Sequence, residues 1–129
     1  MLTGGCLCGA VRYSAIQYDR AVHCHCRMCR RATGAAFATW VCIPIDMFRI
    51  VSGEPRFRRS SPTCQRGFCA DCGTPLFMKY DADEEMTVSL GSLDDPRTIQ
   101  PSYSIWTSER LPLVHAFDRD LKQFTGDPP

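Results

Sequence analysis

The segment Phe68-Cys69-Ala70-Asp71-Cys72-Gly73 contains two cysteines that are separated by two residues and followed by a glycine. A C-x-x-C turn curls the backbone around a metal ion, and the glycine after it permits the positive φ that such a turn often needs. Tetrahedral zinc holds its sulfur ligands at ~2.3 Å, so sulfurs on one ion lie roughly 3.7 Å apart. The segment therefore predicts one half of a zinc site.

A second half-site lies near the N-terminus, in Gly5-Cys6-Leu7-Cys8-Gly9. In an extended segment, residues i and i+2 point to the same side, so both cysteines can face one ion while Leu7 turns away. Each half supplies two sulfurs, and two halves complete a closed site. We predict a structural zinc, and not redox-active or scattered thiols, on Cys6, Cys8, Cys69 and Cys72.

The third cluster, His23-Cys24-His25-Cys26-Arg27-Met28-Cys29, combines C-x-C with C-x-x-C and supplies three sulfurs within six residues. Three protein ligands leave one tetrahedral position open, which distinguishes catalytic zinc sites from structural ones. The spacing thus predicts a second zinc on Cys24, Cys26 and Cys29 that water, a carbonyl or an incoming thiolate can reach. Two Zn²⁺ ions per chain are expected.

Two alternatives compete for this third cluster. One is a closed structural site that His23, His25 or Cys64 completes, and the other is a set of redox-active thiols without metal. In an extended C-x-C segment both histidines point away from the sulfurs, and a histidine near a metal often only orients the ligands. Cys64 is interpreted as a bystander, and Cys42, in an apolar segment, as a small core residue.

Basic residues follow the third cluster directly. A short helix over residues 26–33 would place Arg27, Arg30 and Arg31 on one face, because they have i, i+3, i+4 spacing. Arginine binds carboxylates bidentately, so these three side chains are candidates for binding substrate; the alternative is a solvated face. A second basic stretch contains Arg56, Arg58, Arg59 and Arg66. The formal net charge of the whole chain is only +1, which argues against a nucleic-acid partner.

Strand signals dominate the rest of the chain. Short segments rich in strand-forming residues are separated by Gly, Pro, Ser or Asp, at 10–14, 37–43, 47–51, 56–59, 63–68, 76–80, 86–90 and 103–107. Single turns are expected at 44–47 and 94–97, and a loose tail at 126–129. The pattern predicts a mainly β fold with one or two short helical turns, and 129 residues fit a single domain, 1–129.

The cysteine content and the N-terminal residues bear on the cellular location of the protein. Nine cysteines are an odd number, and the N-terminal residues lack the basic and apolar regions of a signal peptide. Thiols in the cytosol are normally kept reduced, so the cysteine set indicates metal binding, and the cytoplasm is the expected location. No apolar run approaches the roughly 20 residues that span a membrane, so no membrane association is predicted.

At these motifs the chain resembles the glutathione-dependent formaldehyde-activating enzymes, whose domain also occurs in centromere protein V. The resemblance extends over nearly the whole chain and includes all three cysteine clusters in order. The matching segments are 5–13, 24–31, 34–37 and 68–76, with Ser104-Ile105-Trp106-Thr107 and Leu111-Pro112 near the end. Members of the family often carry His before Ile-Trp, where this chain has Ser104.

The resemblance implies a β-rich, zinc-stabilised fold whose sheets lean together like a tent. It also implies a structural zinc on Cys6, Cys8, Cys69 and Cys72 and a catalytic zinc on Cys24, Cys26 and Cys29. The activity that it implies is the condensation of glutathione with formaldehyde, which is classed as a carbon–sulfur lyase reaction.

The leading functional hypothesis is therefore a zinc-dependent enzyme that acts on the adduct of a glutathione-like thiol with a small aldehyde. Two further hypotheses remain. One is a zinc-stabilised interaction module without catalysis, and the other is a zinc or redox sensor whose thiols release metal on oxidation. The sequence identifies neither the thiol nor the oligomeric state.

Overall fold

The computed structural model describes all 129 residues and is dominated by strands. There are ten strands and one α-helix. The strands are β1 (Leu2–Gly5), β2 (Arg12–Ala15), β3 (Arg20–Cys24), β4 (Ala38–Pro44), β5 (Phe48–Ser52), β6 (Arg56–Ser61), β7 (Cys64–Phe68), β8 (Pro75–Tyr80), β9 (Glu85–Ser89) and β10 (Tyr103–Ile105), and helix α1 is Arg27–Thr33. The prediction of a mainly β fold is confirmed.

Short 3₁₀ turns connect several of these elements. They are Ile45–Met47, Leu90–Ser92, Pro96–Thr98, Thr107–Glu109 and Pro112–His115. The two single turns expected at 44–47 and 94–97 overlap the first and third of them. After His115 the chain forms no further strand or helix. The structure contains no helix with the length and apolar character needed to cross a membrane.

The strands form two open sheets. The smaller has the order β1-β2-β5 and is antiparallel throughout. The larger has the order β10-β3-β4-β9-β8-β7-β6, in which only the β10–β3 pair is parallel. An isolated bridge between Gly4 and Leu93 adds a further link to β1.

The main core lies between the two sheets. Tyr13 of β2 meets Phe77 of β8 edge to face, with ring centroids 5.4 Å apart, and the Phe48 ring lies 5.5 Å from that of Phe77. Val41 and Ile43 of β4 are fully buried in the same cluster. Aromatic pairs of this kind contribute about 0.5–1.5 kcal/mol each beyond the area that they bury. This core holds the small sheet against one face of the large one.

A second, smaller core lies on the opposite face of the large sheet. Trp40 precedes Val41 in β4, so its side chain must point to the other face, where it packs with Val22, Cys24, Cys29 and Ala38. This cluster attaches helix α1 to the sheet. Cys26 caps the N-terminus of the helix, since its sulfur accepts from the Cys29 N–H, and Gly34 ends the helix with φ 73°. The third cysteine cluster therefore lies on the face away from the small sheet.

Candidate metal centres and the adjoining cavity

The N-terminal Cys6/Cys8 segment and the Cys69/Cys72 segment meet in space and form the four-cysteine cluster. The sulfur atoms of Cys6, Cys8, Cys69 and Cys72 all lie within 4.8 Å of one another. The sulfurs of Cys6 and Cys8 are 3.6 Å apart, and those of Cys8 and Cys69 are 3.8 Å apart. These distances match the roughly 3.7 Å expected for thiolates around one tetrahedral ion. The four sulfurs could therefore hold a metal ion.

Both half-sites are shaped by turns that end in glycine. Gly9 has φ 83° and Gly73 has φ 80°, values that favour glycine. The Gly73 N–H donates to the Cys69 carbonyl at 2.8 Å, which closes the C-x-x-C turn. The N-terminal half-site closes in a similar way, because the Gly9 N–H donates to the Cys6 carbonyl at 3.1 Å.

Thr74 joins the two half-sites. Its hydroxyl accepts from the Leu7 N–H at 3.0 Å and lies 3.1 Å from the Cys72 sulfur. The Thr74 hydroxyl, aided by backbone N–H groups of Thr74 and Cys8, lowers the pKa of the Cys72 thiol to about 6. A sulfur that ionises readily is suited to metal coordination, because the thiolate is the form that binds metal.

The segment from Cys24 to Cys29 forms the second cluster, here called the three-cysteine cluster. The sulfurs of Cys24, Cys26 and Cys29 also lie within 4.8 Å of one another. Strand β3 ends at Cys24, and Cys29 lies in the first turn of α1 with Cys26 as its cap. No histidine belongs to this group of sulfurs, and neither does Cys64. Three sulfurs, and not four protein ligands, make up the second cluster.

The sulfur of Cys29 is surrounded by donors. The Trp40 indole Nε1–H donates to it at 3.3 Å, and the guanidinium of Arg66 approaches at 3.6 and 3.7 Å. Hydrogen bonding to Cys24, followed by these contacts, lowers the pKa of Cys29 to about 5 despite its burial. The pKa of Cys24 is raised, because it faces the Cys29 sulfur and is buried. The surroundings of Cys29 thus stabilise a thiolate, the form that binds a metal ion.

The second cluster opens onto a cavity of about 370 Å³, here called the thiol cavity. Its walls come from α1, β7, β8 and the turn after β10. The lining residues are Cys24, Cys26, Arg27, Met28, Cys29, Ser61, Cys64, Arg66, Met78, Tyr80, Ile105, Trp106 and Glu109. Apolar and aromatic walls with a few polar groups are typical of sites for small ligands. None of the four cysteines of the other cluster lines the thiol cavity.

Trp106 at the rim of the thiol cavity has an unusual backbone. Its φ is 56° and its ψ is 39°, in the left-handed region that a bulky residue rarely adopts, and the residue is 61% exposed. The turn that follows it brings Glu109 into the cavity, where its carboxylate accepts from the Arg27 N–H at 3.0 Å. The strained turn therefore positions both an indole ring and a carboxylate at the cavity.

The two histidines beside the cysteines line a different cavity. It has a volume of about 210 Å³ and contains His23, His25, Ser104 and the ring of Phe37. His23 Nδ1 lies 2.8 Å from the Thr39 hydroxyl, and the pKa of His23 is lowered by burial. The alternation of the extended segment explains why the sulfurs and the imidazoles point apart. Ser104 lines this same cavity and therefore lies beside the imidazoles and not beside the sulfurs.

The predicted substrate-binding arginines lie around the helix. Arg27 reaches the thiol cavity, and all three of Arg27, Arg30 and Arg31 line a shallow cleft beside Gly34 and Leu111. Helical spacing thus places them together as expected, and their role in binding substrate remains a prediction.

The two cysteines outside the clusters are both buried. Cys42 is buried, and burial raises its pKa. Cys64, interpreted from sequence as a bystander, is buried in the wall of the thiol cavity.

Sequence reasoning missed the residues that contact the cluster from distant segments. Arg66 and Trp40 contact Cys29 although they follow it by 37 and 11 residues. Glu109 and Tyr80 enter the cavity from still later segments. In the sequence, Arg66 stood out only as a member of the second basic stretch, and the alternation of a strand over 63–68 could have placed its side chain on the same face as that of Cys64.

Trp40→Phe is expected to lower the affinity of the three-cysteine cluster for metal about 10–100-fold. The change removes the indole N–H that donates to Cys29, and losing a group that hydrogen-bonds to a metal ligand typically costs that much. Competition with a chromophoric chelator measures the affinity. The four-cysteine cluster is an internal control, since Trp40 does not contact it. Equal weakening at both clusters would mean that the variant only loosens the fold.

The fold and the two sulfur clusters define a mainly β protein that could hold two metal ions, one enclosed by four cysteines and one beside a cavity. The chain belongs to the glutathione-dependent formaldehyde-activating enzyme family, whose sequence profile matches residues 1–109. That match includes all seven clustered cysteines and every residue that lines the thiol cavity.

The chain is also similar to two individual proteins. The chain is 31% identical over 78 residues to a protein of Schizosaccharomyces pombe described as an uncharacterized lyase. The match covers 60% of this chain and 56% of that protein, so it spans little more than half of the relative. The fold is similar to the crystal structure of a Rhodobacter sphaeroides protein, with a TM-score of 0.62 and 25% identity over 79% of this chain and 98% of the other.

Proposed function

We propose that the chain is a zinc-dependent enzyme of the carbon–sulfur lyase type. Its substrate would be the adduct of a glutathione-like thiol with a small aldehyde such as formaldehyde. Family membership and the lyase description of the S. pombe relative support the reaction class. In this proposal, one zinc is held by Cys6, Cys8, Cys69 and Cys72, and the other by Cys24, Cys26 and Cys29.

One observation carries the proposal: the three-cysteine cluster lies in the wall of a cavity of about 370 Å³, whereas the four-cysteine cluster does not. A structural metal site normally uses four protein ligands, and a catalytic site keeps a position for substrate. A zinc ion bound by these three sulfurs would act as a Lewis acid that favours the thiolate form of a bound thiol.

The residues around the three-cysteine cluster stabilise negative charge on its sulfurs. The Trp40 N–H and the Arg66 guanidinium fix the Cys29 sulfur from the side of the sheet. Met28, Met78 and Ile105 provide the apolar part of the walls and reduce the access of water. In such surroundings the donors that face a sulfur act more strongly than they would in water.

The reaction needs a proton to move between two atoms. In the direction of addition, the thiol loses its proton, its sulfur forms a bond to the carbonyl carbon, and the carbonyl oxygen gains a proton. In the lyase direction the carbon–sulfur bond breaks and the proton returns from the hydroxyl oxygen to sulfur. Glu109 is the carboxylate in the thiol cavity, so we assign it this proton transfer, with the Tyr80 hydroxyl as a second polar group there.

Exchange between free ¹³C-formaldehyde and its glutathione adduct, followed by NMR, tests the proposed function. The enzyme is expected to accelerate exchange on the order of 100-fold or more over the uncatalysed rate at the same pH, as positioned proton transfer typically allows. Exchange at the background rate, with the protein folded and loaded with metal, would remove this pair of substrates and favour a non-catalytic interaction module.

A further inference from the structure

A groove lined by arginines adjoins the thiol cavity. It has a volume of about 410 Å³, and its walls include Arg31 of α1, Arg58 and Ser60 of β6, and Arg66 of β7. Arg66 and Met28 line both the groove and the thiol cavity, so the two spaces are neighbours. The groove therefore lies within reach of a molecule whose sulfur is at the three-cysteine cluster.

No arginine of the groove has a carboxylate partner, although two nitrogens of Arg66 contact the Cys29 sulfur. The ion pairs of the protein join Arg12, Arg20, Arg59, Arg97 and Arg119 to neighbouring carboxylates, and none involves Arg31, Arg58 or Arg66. The contrast is sharpest in β6, where Arg59 binds Asp81 on one face while Arg58 faces the groove. No Asp or Glu lines the groove.

The register of the large sheet places two of the groove arginines opposite each other, which lowers the stability of the sheet. Arg58 lies directly opposite Arg66 in the β6–β7 pair, and like charges that face each other across strands destabilise a sheet. In addition, the Ser60 hydroxyl and the Arg66 Nε are shielded from solvent and have no hydrogen-bond partner. An anion between these groups would relieve the repulsion and supply the missing acceptor.

We propose that the groove binds a carboxylate of the thiol substrate, so that the enzyme selects anionic thiols over neutral ones. This inference rests on the proposed function, because it places the substrate sulfur at Cys24, Cys26 and Cys29. Arg58 presents its guanidinium group to the carboxylate from β6, and the Ser60 hydroxyl donates to it. Arg66 adds its unpartnered Nε–H from β7, while its two terminal nitrogens stay on the Cys29 sulfur. Arg58 is then a specificity residue that touches no reacting atom.

Arg58→Gln tests this assignment, with Arg49→Gln as the matched control. Arg49 is an exposed arginine of β5, in the small sheet, and lines neither the groove nor the thiol cavity. Both variants replace one arginine by glutamine, so they change the net charge equally. The substrates are glutathione, its glycyl ethyl ester and 2-mercaptoethanol, each with ¹³C-formaldehyde. Arg58→Lys, which keeps the charge but not the bidentate geometry, provides a conservative variant.

For the wild type, the KM for glutathione should lie below that for 2-mercaptoethanol. Arg58→Gln should raise the KM for glutathione about tenfold or more, the loss typical of a hydrogen bond to a charged group, and leave kcat nearly unchanged. The KM of Arg58→Gln for 2-mercaptoethanol should equal that of the wild type. The KM of Arg58→Lys for glutathione should lie between those of the wild type and Arg58→Gln. If Arg58→Gln raises the KM for the glycyl ethyl ester less than it raises the KM for glutathione, the glycyl carboxylate is the group that the groove binds. An equal rise for both thiols, or the same rise in Arg49→Gln, would overturn the proposal.

Binding of S-methylglutathione, measured by calorimetry, separates this proposal from the function on which it rests. The molecule has no free thiol but keeps both carboxylates. Weaker binding to Arg58→Gln than to Arg49→Gln supports the groove even if no thiol is turned over, in which case only the proposed function fails. Binding that is unaffected by Arg58→Gln overturns the groove even if turnover of glutathione is observed.

Discussion

Cys69→Ser is expected to give a chain that does not fold stably at 25 °C. Cys69 is 1% exposed, and its sulfur lies 3.8 Å from that of Cys8, so the change removes a ligand from the centre of the four-cysteine cluster. Structural zinc in small domains contributes about 10–16 kcal/mol of apparent binding free energy, whereas a whole domain is stable by about 5–15 kcal/mol. Losing one of four ligands therefore removes most of the stability.

Near-ultraviolet circular dichroism and thermal unfolding measure this effect. Cys42→Ala is the matched control, since Cys42 is also buried but belongs to neither cluster. Its expected cost is only about 1 kcal/mol, the scale for a small buried group. A cooperative transition for Cys69→Ser within a few degrees of the control would show that the four-cysteine cluster does not hold the fold together.

Cys26→Ser is expected to keep the fold and abolish activity. Cys26 caps helix α1 by accepting the Cys29 N–H, and serine is among the best residues for this position, so the helix should be retained. The serine hydroxyl would, however, be a poor metal ligand in a cluster of only three. Activity should fall more than roughly 100-fold, since changes to groups that only contact a metal ligand already cost 10–100-fold.

The ¹³C-formaldehyde exchange assay measures the activity of this variant, and a thermal unfolding curve measures its stability. The unfolding midpoint should stay within a few degrees of the wild type while accelerated exchange disappears. If Cys26→Ser and Cys69→Ser both unfold, or both remain folded and active, the division into a structural and a reactive cluster is wrong.

Much of the fold was predictable because its signals are local. Eight strands and the helix were located within one or two residues, since turn residues bound them and Cys26 begins the helix. Strands β1 and β3 were missed for different reasons. β1 reads Leu-Thr-Gly-Gly, which has weak strand propensity, and β3 ends in the cysteine cluster, where metal-ligand spacing obscured the strand pattern.

The candidate site shows the same division between local and long-range information. The sulfurs of each cluster could be grouped by spacing within short segments and by pairing half-sites. Arg66, by contrast, reaches Cys29 through the register of β7 against its neighbours, and no spacing in the sequence encodes that contact. The sequence directed attention to Arg27, Arg30 and Arg31, while the structure adds Arg58 and Arg66 around the groove.

The metal content of the purified protein, before and after dialysis against EDTA, tests the central claim most directly. Two zinc ions per chain are expected before dialysis. After it, one should remain and the near-ultraviolet spectrum should be unchanged, because four cysteines would complete the coordination of one ion, whereas the three-cysteine cluster would leave a position open to the cavity. A single zinc at the start, or the loss of both ions together with the fold, would contradict the account.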